Sequence, residues 1–253
     1  MEIRPRIVLR PIVAKSHFRC YNNSSIMTEI LRAAPVEQTP KPDISDNYRE
    51  SRSLFDLEDL FKKWGVPFNF EEYLRLLSRK FAHTESLMVL DGGCGTGSTL
   101  EGIGKLSPAI GKKIITVGID KAERNIPSED AEIDTFILGT IQNAHELGFI
   151  KPNQFHFILD FCGALFYDSS VNSGCGEIII PIYSQVLASG GNLLAFAYEL
   201  VPDADWMKMR GKETAEQQHK RFLELLAENN FRIVMQKSAV VLLEKSNSTS
   251  SMH

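Results

Sequence analysis

The sequence predicts an α/β fold: a doubly wound, mostly parallel seven-stranded sheet ending in an antiparallel strand, with an N-terminal helical extension. Three observations predict it. Between residues 87 and 228 short β-type runs alternate with helical stretches, the signature of a parallel sheet with crossover helices. The last two runs, 231–236 and 239–243, are separated by Lys237 and Ser238 alone, a gap that admits a hairpin and excludes a crossover. Ahead of the alternation, two stretches carry apolar residues at helical spacing.

Taken in order, the elements divide the 253 residues into a tail, a helical unit and one full-size domain. Residues 1–46 read as a disordered or targeting tail. In the first 25 positions Arg4, Arg6, Arg10, Lys15 and Arg19 face one acid, Glu2, a composition resembling a mitochondrial presequence. A plain basic tail, or sequence upstream of a start at Met27, explains it as well, since Pro5 and Pro11 interrupt any amphipathic helix. Cytoplasmic residence is the expectation and mitochondrial residence the alternative. Residues 34–43 hold Pro35, Pro40 and Pro42 among polar neighbours and read as a linker. The unit 47–84 contains two amphipathic helices, one with Leu54, Leu57, Leu60 and Phe61, the other with Tyr73, Leu74, Leu77 and Phe81, broken at Trp64-Gly65-Val66-Pro67. Within 85–245 the strands are 87–90, 114–119, 135–138, 155–159 and 193–198, followed by the hairpin pair. The helices are 98–106, 140–147, 178–187 and 214–228, each long enough to return over a sheet face. Residues 246–253 are a polar tail.

Composition excludes several classes. No apolar run of about 18 residues occurs, so the chain is expected to be soluble, without a membrane partner. The net charge of −4 gives polyanions no general attraction, so a nucleic-acid partner is not expected. The tail and residues 208–212 are the only hints of a basic face. Cys20, Cys94, Cys162 and Cys175 form no C-x-x-C pair and have no His at zinc-finger spacing, which suits free thiols in a reducing compartment.

The chemistry is concentrated in Leu87-Met-Val-Leu-Asp91-Gly-Gly93-Cys94-Gly95-Thr-Gly97-Ser98, a strand entering a glycine-dense turn and then a helix. Glycines let the backbone adopt positive φ and approach a ligand, and the helix that follows presents unpaired N–H groups. Such a turn builds a nucleotide-type site at the carboxyl ends of parallel strands. The stretch resembles motif I of the class I S-adenosylmethionine-dependent methyltransferases, an acid followed by alternate glycines, and the resemblance extends over about 87–243. It implies that Asp91 holds the methionine amino group, directly or through water, that Gly93, Gly95 and Gly97 pass beneath the methionine moiety, and that Cys94 among them belongs to the cofactor-binding stretch. A dinucleotide oxidoreductase is the nearest rival, but Ser98 stands where the third glycine of G-x-G-x-x-G belongs. Asp91 would also face an anionic pyrophosphate.

The resemblance extends down the later strands. Asp120 ends the second strand, where an acid accepts hydrogen bonds from ribose hydroxyls, and the residue after it, Lys121, is placed to pack on adenine. Thr140 and Ile141 follow the third strand where the family carries an acid for the adenine amino group. Thr140 departs from that pattern, leaving the role to its hydroxyl, the backbone or Gln142, and serves equally as a helix N-cap. Asp160 and Phe161 end the fourth strand like motif IV, which lines the transferred methyl group and the acceptor. Neither the Pro-Pro-Tyr pattern of exocyclic-amine DNA methyltransferases nor a Pro-Cys nucleophile is present, and Cys162 reads as packing. Asp160 is followed by Phe-Cys-Gly and not by a second acid, so no metal is expected.

The implied activity is S-adenosylmethionine-dependent methyl transfer by in-line displacement. The methyl acceptor is expected to be a small molecule; a protein or RNA acceptor, or a non-catalytic cofactor-binding partner subunit, are the alternatives. No catalytic base is assigned. Tyr167, Asp168, Tyr198 and Glu199 lie in the loops after the fourth and fifth strands, the last two as pocket lining. The aromatic-rich unit 47–84 would cover the acceptor as a lid, and the loop 168–176 would be a second gate.

Overall fold

Strand β2 (Ser86–Asp91) is the centre of the molecule, flanked on one side by β3 (Lys113–Asp120) and on the other by β5 (Phe155–Asp160), both parallel to it. The computed structural model describes residues 7–9, 53–122, 125–128, 130–161, 163–165, 176–200 and 212–246. The remaining strands are β1 (Ile7–Leu9), β4 (Thr135–Leu138), β6 (Leu187–Phe196), β7 (Phe231–Lys237) and β8 (Val240–Lys245), in the sheet order β1-β4-β3-β2-β5-β6-β8-β7. All neighbours are parallel except β8, which runs antiparallel to both β6 and β7. The hairpin places its second strand inside the sheet and leaves β7 at the edge. Ile7–Leu9 adds an eighth strand beside β4, within the stretch read from composition as tail.

Helices cover both faces. On the first lie α1 (Leu54–Lys63), α2 (Phe70–Lys80), α3 (Ser98–Lys105) and the single turn α4 (Ser107–Ile110). Leu57, Phe61, Phe70, Leu74, Leu100 and Ile103 from these helices pack there on Val89, Phe136, Phe157, Leu194 and Val240 of the sheet. On the second lie α5 (Ile141–Glu146), α6 (Ile179–Val186) and α7 (Lys212–Glu228). Ile141, Ile180, Tyr183 and Phe222 meet Leu90, Ile119, Ile137, Ile158 and Val241. Adjacent strand residues such as Val89 and Leu90 thus serve opposite cores. This is why the strands read as continuous apolar runs, each buried large side chain contributing about 1.5–3 kcal/mol.

Local chemistry sets the helix ends. Ser53 caps α1 in a reciprocal box with Asp56, and Asn69 caps α2 by accepting from the Glu72 N–H. Both helices of the N-terminal unit contribute to the first core, in which Phe61, Phe68 and Phe70 are buried, whereas Phe55 is 72% exposed. The fifth expected strand differs in its bounds. It begins at Leu187, directly after α6, because Gly190 (φ 77°) and Gly191 absorb a register shift against β5 before the ladder resumes at Asn192. It ends at Phe196, and Tyr198–Leu200 forms a 3₁₀ turn.

Several expectations concern residues outside those described: the linker 34–43, Cys20, Cys162, Cys175, Tyr167, Asp168, the gate over 168–175, the basic positions of 208–211, and the tail from 247 onward. The same holds for the side chain of Tyr198. No helix among the described residues is long and apolar enough to cross a membrane.

Candidate cofactor site

The sheet order reverses direction at β2 and β5, since the chain fills β3 and β4 on one side before crossing to the other. The carboxyl ends of these two strands are therefore the switch point where open α/β sheets bind ligands. The glycine turn lies there. The Gly92 amide donates to the Leu159 carbonyl, the Cys94 amide to the Ile119 carbonyl and the Gly97 amide to the Cys94 carbonyl, so the turn is bonded to both flanking strands before it starts α3. Gly97, at the helix N-cap, has φ 84°, and Gly95 has φ 56°. Both sit in the left-handed region that strains other residues. Gly93 is required for closeness, since a Cβ there would stand 2.4 Å from the Cα of Gly163.

Three carboxylates end the three central strands. Asp91 is buried, and burial first, then the negative charges of Asp160 and Asp120, hold its carboxyl well above the usual carboxylate range, against the Gly93 N–H that favours the anion. Asp120 is half-buried, its Oδ2 accepting from the Gly95 amide at 3.0 Å and its Oδ1 from the Ala122 amide at 2.8 Å. Asp160 has no exposed surface, its Oδ1 accepting from Gly163 N at 3.1 Å and its Oδ2 from Leu165 N at 2.8 Å and the Tyr183 hydroxyl at 2.5 Å. Among the described residues no group of three or more His, Cys, Asp and Glu side chains is arranged to hold a metal ion.

The remaining expected site residues separate into two groups. Lys121 is exposed at the start of the loop after β3, and Phe161 is half-buried at the end of β5. Phe161 stacks edge-on to Phe61 and Phe196 at centroid distances of 5.3 Å, with Trp64 5.9 Å away. Thr140 is the N-cap of α5, accepting from the Asn143 amide at 3.1 Å, which is the capping alternative its position offered. Ile141 is packed into the second core at 1% exposure, and Cys94 is a free, buried thiol beneath the turn. Their side chains present almost no surface to a ligand. Burial first, then Asp91 and Asp120, push the Cys94 thiol up, so it rests protonated. Glu199 is buried in the 3₁₀ turn, and its carbonyl oxygen lies 2.6 Å from Nδ1 of His219. A carbonyl only accepts, so Nδ1 carries the proton.

Sequence reasoning did not single out Gly92, Gly163, Tyr183 or Phe196 for the site. The signal for Tyr183 is a lone phenol in the aliphatic run Ile-Ile-Pro-Ile-Tyr-Ser-Gln-Val, because a buried hydroxyl demands a partner.

No family model matches the chain, and no curated protein matches it in sequence. Among solved structures it is similar to the CurJ carbon methyltransferase, at 13% identity over 77% of this chain and 59% of that one, with a TM-score of 0.47. It is also similar to a SAM-dependent methyltransferase from Methanosarcina mazei, at 14% identity over 66% and 97% and a TM-score of 0.40. A third is the fibrillarin pre-rRNA processing protein of Methanococcus jannaschii, at 18% identity over 65% and 69% and a TM-score of 0.43. Identities this low assign no chemistry to this chain. On its own strand order, with the antiparallel last strand inserted beside β6, the chain has the Rossmann-like fold of class I methyltransferases.

Proposed function

We propose that the chain binds S-adenosylmethionine at the carboxyl edge of β2 and β3 and catalyses methyl transfer to a small-molecule acceptor. The acidic floor made by Asp91, Asp120 and Asp160 at the glycine turn carries this reading. Burial and mutual repulsion make a cation welcome there, whereas the pyrophosphate of a dinucleotide would bring further negative charge to it. The cofactor, when bound, supplies a methyl group activated by a sulfonium.

The chain's own residues bind, orient and exclude water. Asp91 accepts from the ammonium group of the methionine end, a charge-assisted bond strengthened by burial. Asp120 keeps lone pairs beyond those used by Gly95 and Ala122 and accepts from the ribose hydroxyls. Gly93 and Gly95, partly exposed where the turn faces outward, let the ligand approach the backbone. Asp160 contributes its charge from beneath and its hydrogen bonds to the loop 163–165. Trp64, 38% exposed, joins Phe161 and Phe196 with ring centroids 5.3–5.9 Å apart beside the ends of β5 and β6. This aromatic wall suits an apolar acceptor.

Calorimetric titration with S-adenosylmethionine and its demethylated product tests the cofactor, and a labelled-methyl screen of small-molecule extracts tests the acceptor. Micromolar binding lost in Asp91→Ala is expected. A folded protein that binds neither ligand overturns the reading, and binding without turnover on any acceptor class replaces the enzyme with a cofactor-binding partner subunit.

A further inference from the structure

Tyr183 is the phenol that α6 sends into the second core, in one cluster with Ile180, Leu90 and Ile158, and its side chain has no exposed surface. A ring there would fill the core as well without its oxygen, since a buried hydroxyl costs stability unless it is used. It is used on both sides of the turn. The phenol donates to Oδ2 of Asp160, and its oxygen occupies the place of a side chain on Gly92, where a Cβ would lie 2.0 Å away. Asp160 in turn receives the amides of Gly163 and Leu165, and the intervening Ala164 amide donates to the Gly92 carbonyl at 2.9 Å. Two backbone segments, 92–93 and 163–165, are thereby clamped together. Their contact is so close that a Cβ on Gly163 would stand 2.7 Å from the Gly92 oxygen.

We infer that Tyr183 is a positioning residue for the methionine end of the cofactor site: through Asp160 and Gly92 it sets the height of the glycine turn behind Asp91 without touching the ligand. The inference rests on the proposed cofactor for its ligand, and on the hydrogen-bond chain for its mechanics. The ribose end is held separately, by Asp120 on β3, so the two ends of one ligand report on different supports. Burial first, then the charge of Asp160 and the bond to it, push the phenol well above its ordinary range, so it remains the donor throughout the stable pH range of proteins.

The test compares the intact protein with Tyr183→Phe, Gly92→Ala and the pair combined. Tyr183→Phe is expected to weaken S-adenosylmethionine by about tenfold, the equivalent of about 1.4 kcal/mol, while adenosine, which lacks the methionine end, changes by less than about twofold. In the ligand-free variant the amides of Gly163 and Leu165 are expected to exchange faster while those of β6 and β8 keep their protection. Gly92→Ala drives a methyl group into the hydroxyl, so it lowers the melting temperature, and adding Tyr183→Phe recovers part of the loss because the methyl group then fills the vacated space. Where Tyr183→Phe alone fails to fold, the double variant carries the same comparisons. Unchanged affinity and unchanged exchange in Tyr183→Phe overturn the inference and leave the cofactor reading standing. If the intact protein binds no S-adenosylmethionine, that reading fails by itself, and the exchange and recovery measurements judge the clamp.

Discussion

The amide of Gly95 donates to Oδ2 of Asp120 at 3.0 Å, so the end of β3 holds the turn that leaves β2. The same carboxylate accepts from the Ala122 amide, fastening the start of the next loop as well. One side chain thus fastens both the glycine turn and the start of the loop after β3.

Asp120→Ala is expected to lower stability by about 1–3 kcal/mol, the cost of leaving donors unpaired, and to weaken S-adenosylmethionine by more than the protein is destabilised. Asp120→Asn keeps one acceptor oxygen and is expected to fall between the two. Thermal melting together with titration separates the effects; full affinity in Asp120→Ala would move ribose recognition to another residue.

Asp91 has its proton affinity raised by burial and then by Asp160 and Asp120. A carboxyl whose folded pKa lies above its unfolded value stabilises the fold below the unfolded pKa, and that contribution is lost as pH rises through the folded pKa. Ligand-free protein is therefore expected to be more stable as Asp91→Asn than as the natural sequence at pH 7, with affinity for the cofactor reduced. Binding a cation lowers the pKa again, so titration near that pKa should release a proton. The measurement is the dependence of binding enthalpy on buffer ionisation enthalpy, and it should vanish in Asp91→Asn.

His156 works in the other direction, near the amino end of β5. Its Nδ1 accepts from the Met88 amide at 2.9 Å, and burial first, then Lys112 and His83, lower its pKa from 6.5 to about 4. A base with a depressed folded pKa contributes stability that is whole above 6.5 and lost as pH falls toward 4, because the unfolded chain takes up the proton first. His156→Asn retains an acceptor for Met88 and should flatten the decline of the urea midpoint across that window. An unchanged decline would assign the acid sensitivity to other groups.

Gly93→Ala would place a Cβ against backbone rather than against a movable side chain, 2.4 Å from Gly163 Cα. The two segments must part, at a cost of about 1–3 kcal/mol for overpacking, and cofactor affinity should drop with the melting temperature. Gly104→Ala has no neighbour nearer than 3.8 Å and serves as the control, expected to be neutral or slightly stabilising because it lies inside α3.

Much of the fold was legible in the chain. The strand run 87–90 and the observed Ser86–Asp91, the helix 140–147 and Ile141–Glu146, and the hairpin around Ser238 agree within one or two residues at most ends, because periodicity and turn chemistry are local. The start of β6 was not legible. Leu187 to Gly191 become strand through pairing with β5, and a ladder partner distant in sequence has no local signature. The glycine turn and the acids at the strand ends were equally readable, since each residue type announces a backbone or charge requirement on its own. The division of labour among those acids was not, because whether Asp160 faces a ligand or a buried tyrosine depends on where α6 docks.

By itself the sequence determined that strands and helices alternate, that both sheet faces are covered, and that a glycine turn follows Asp91, since these depend on spacing and residue type. The tertiary structure alone decided that Asp160 accepts from Tyr183, that the side chains of Ile141 and Cys94 are buried, and that Thr140 caps α5. Burial and hydrogen-bond partners are properties of residues brought together from distant parts of the chain, and no stretch of sequence carries its own partner.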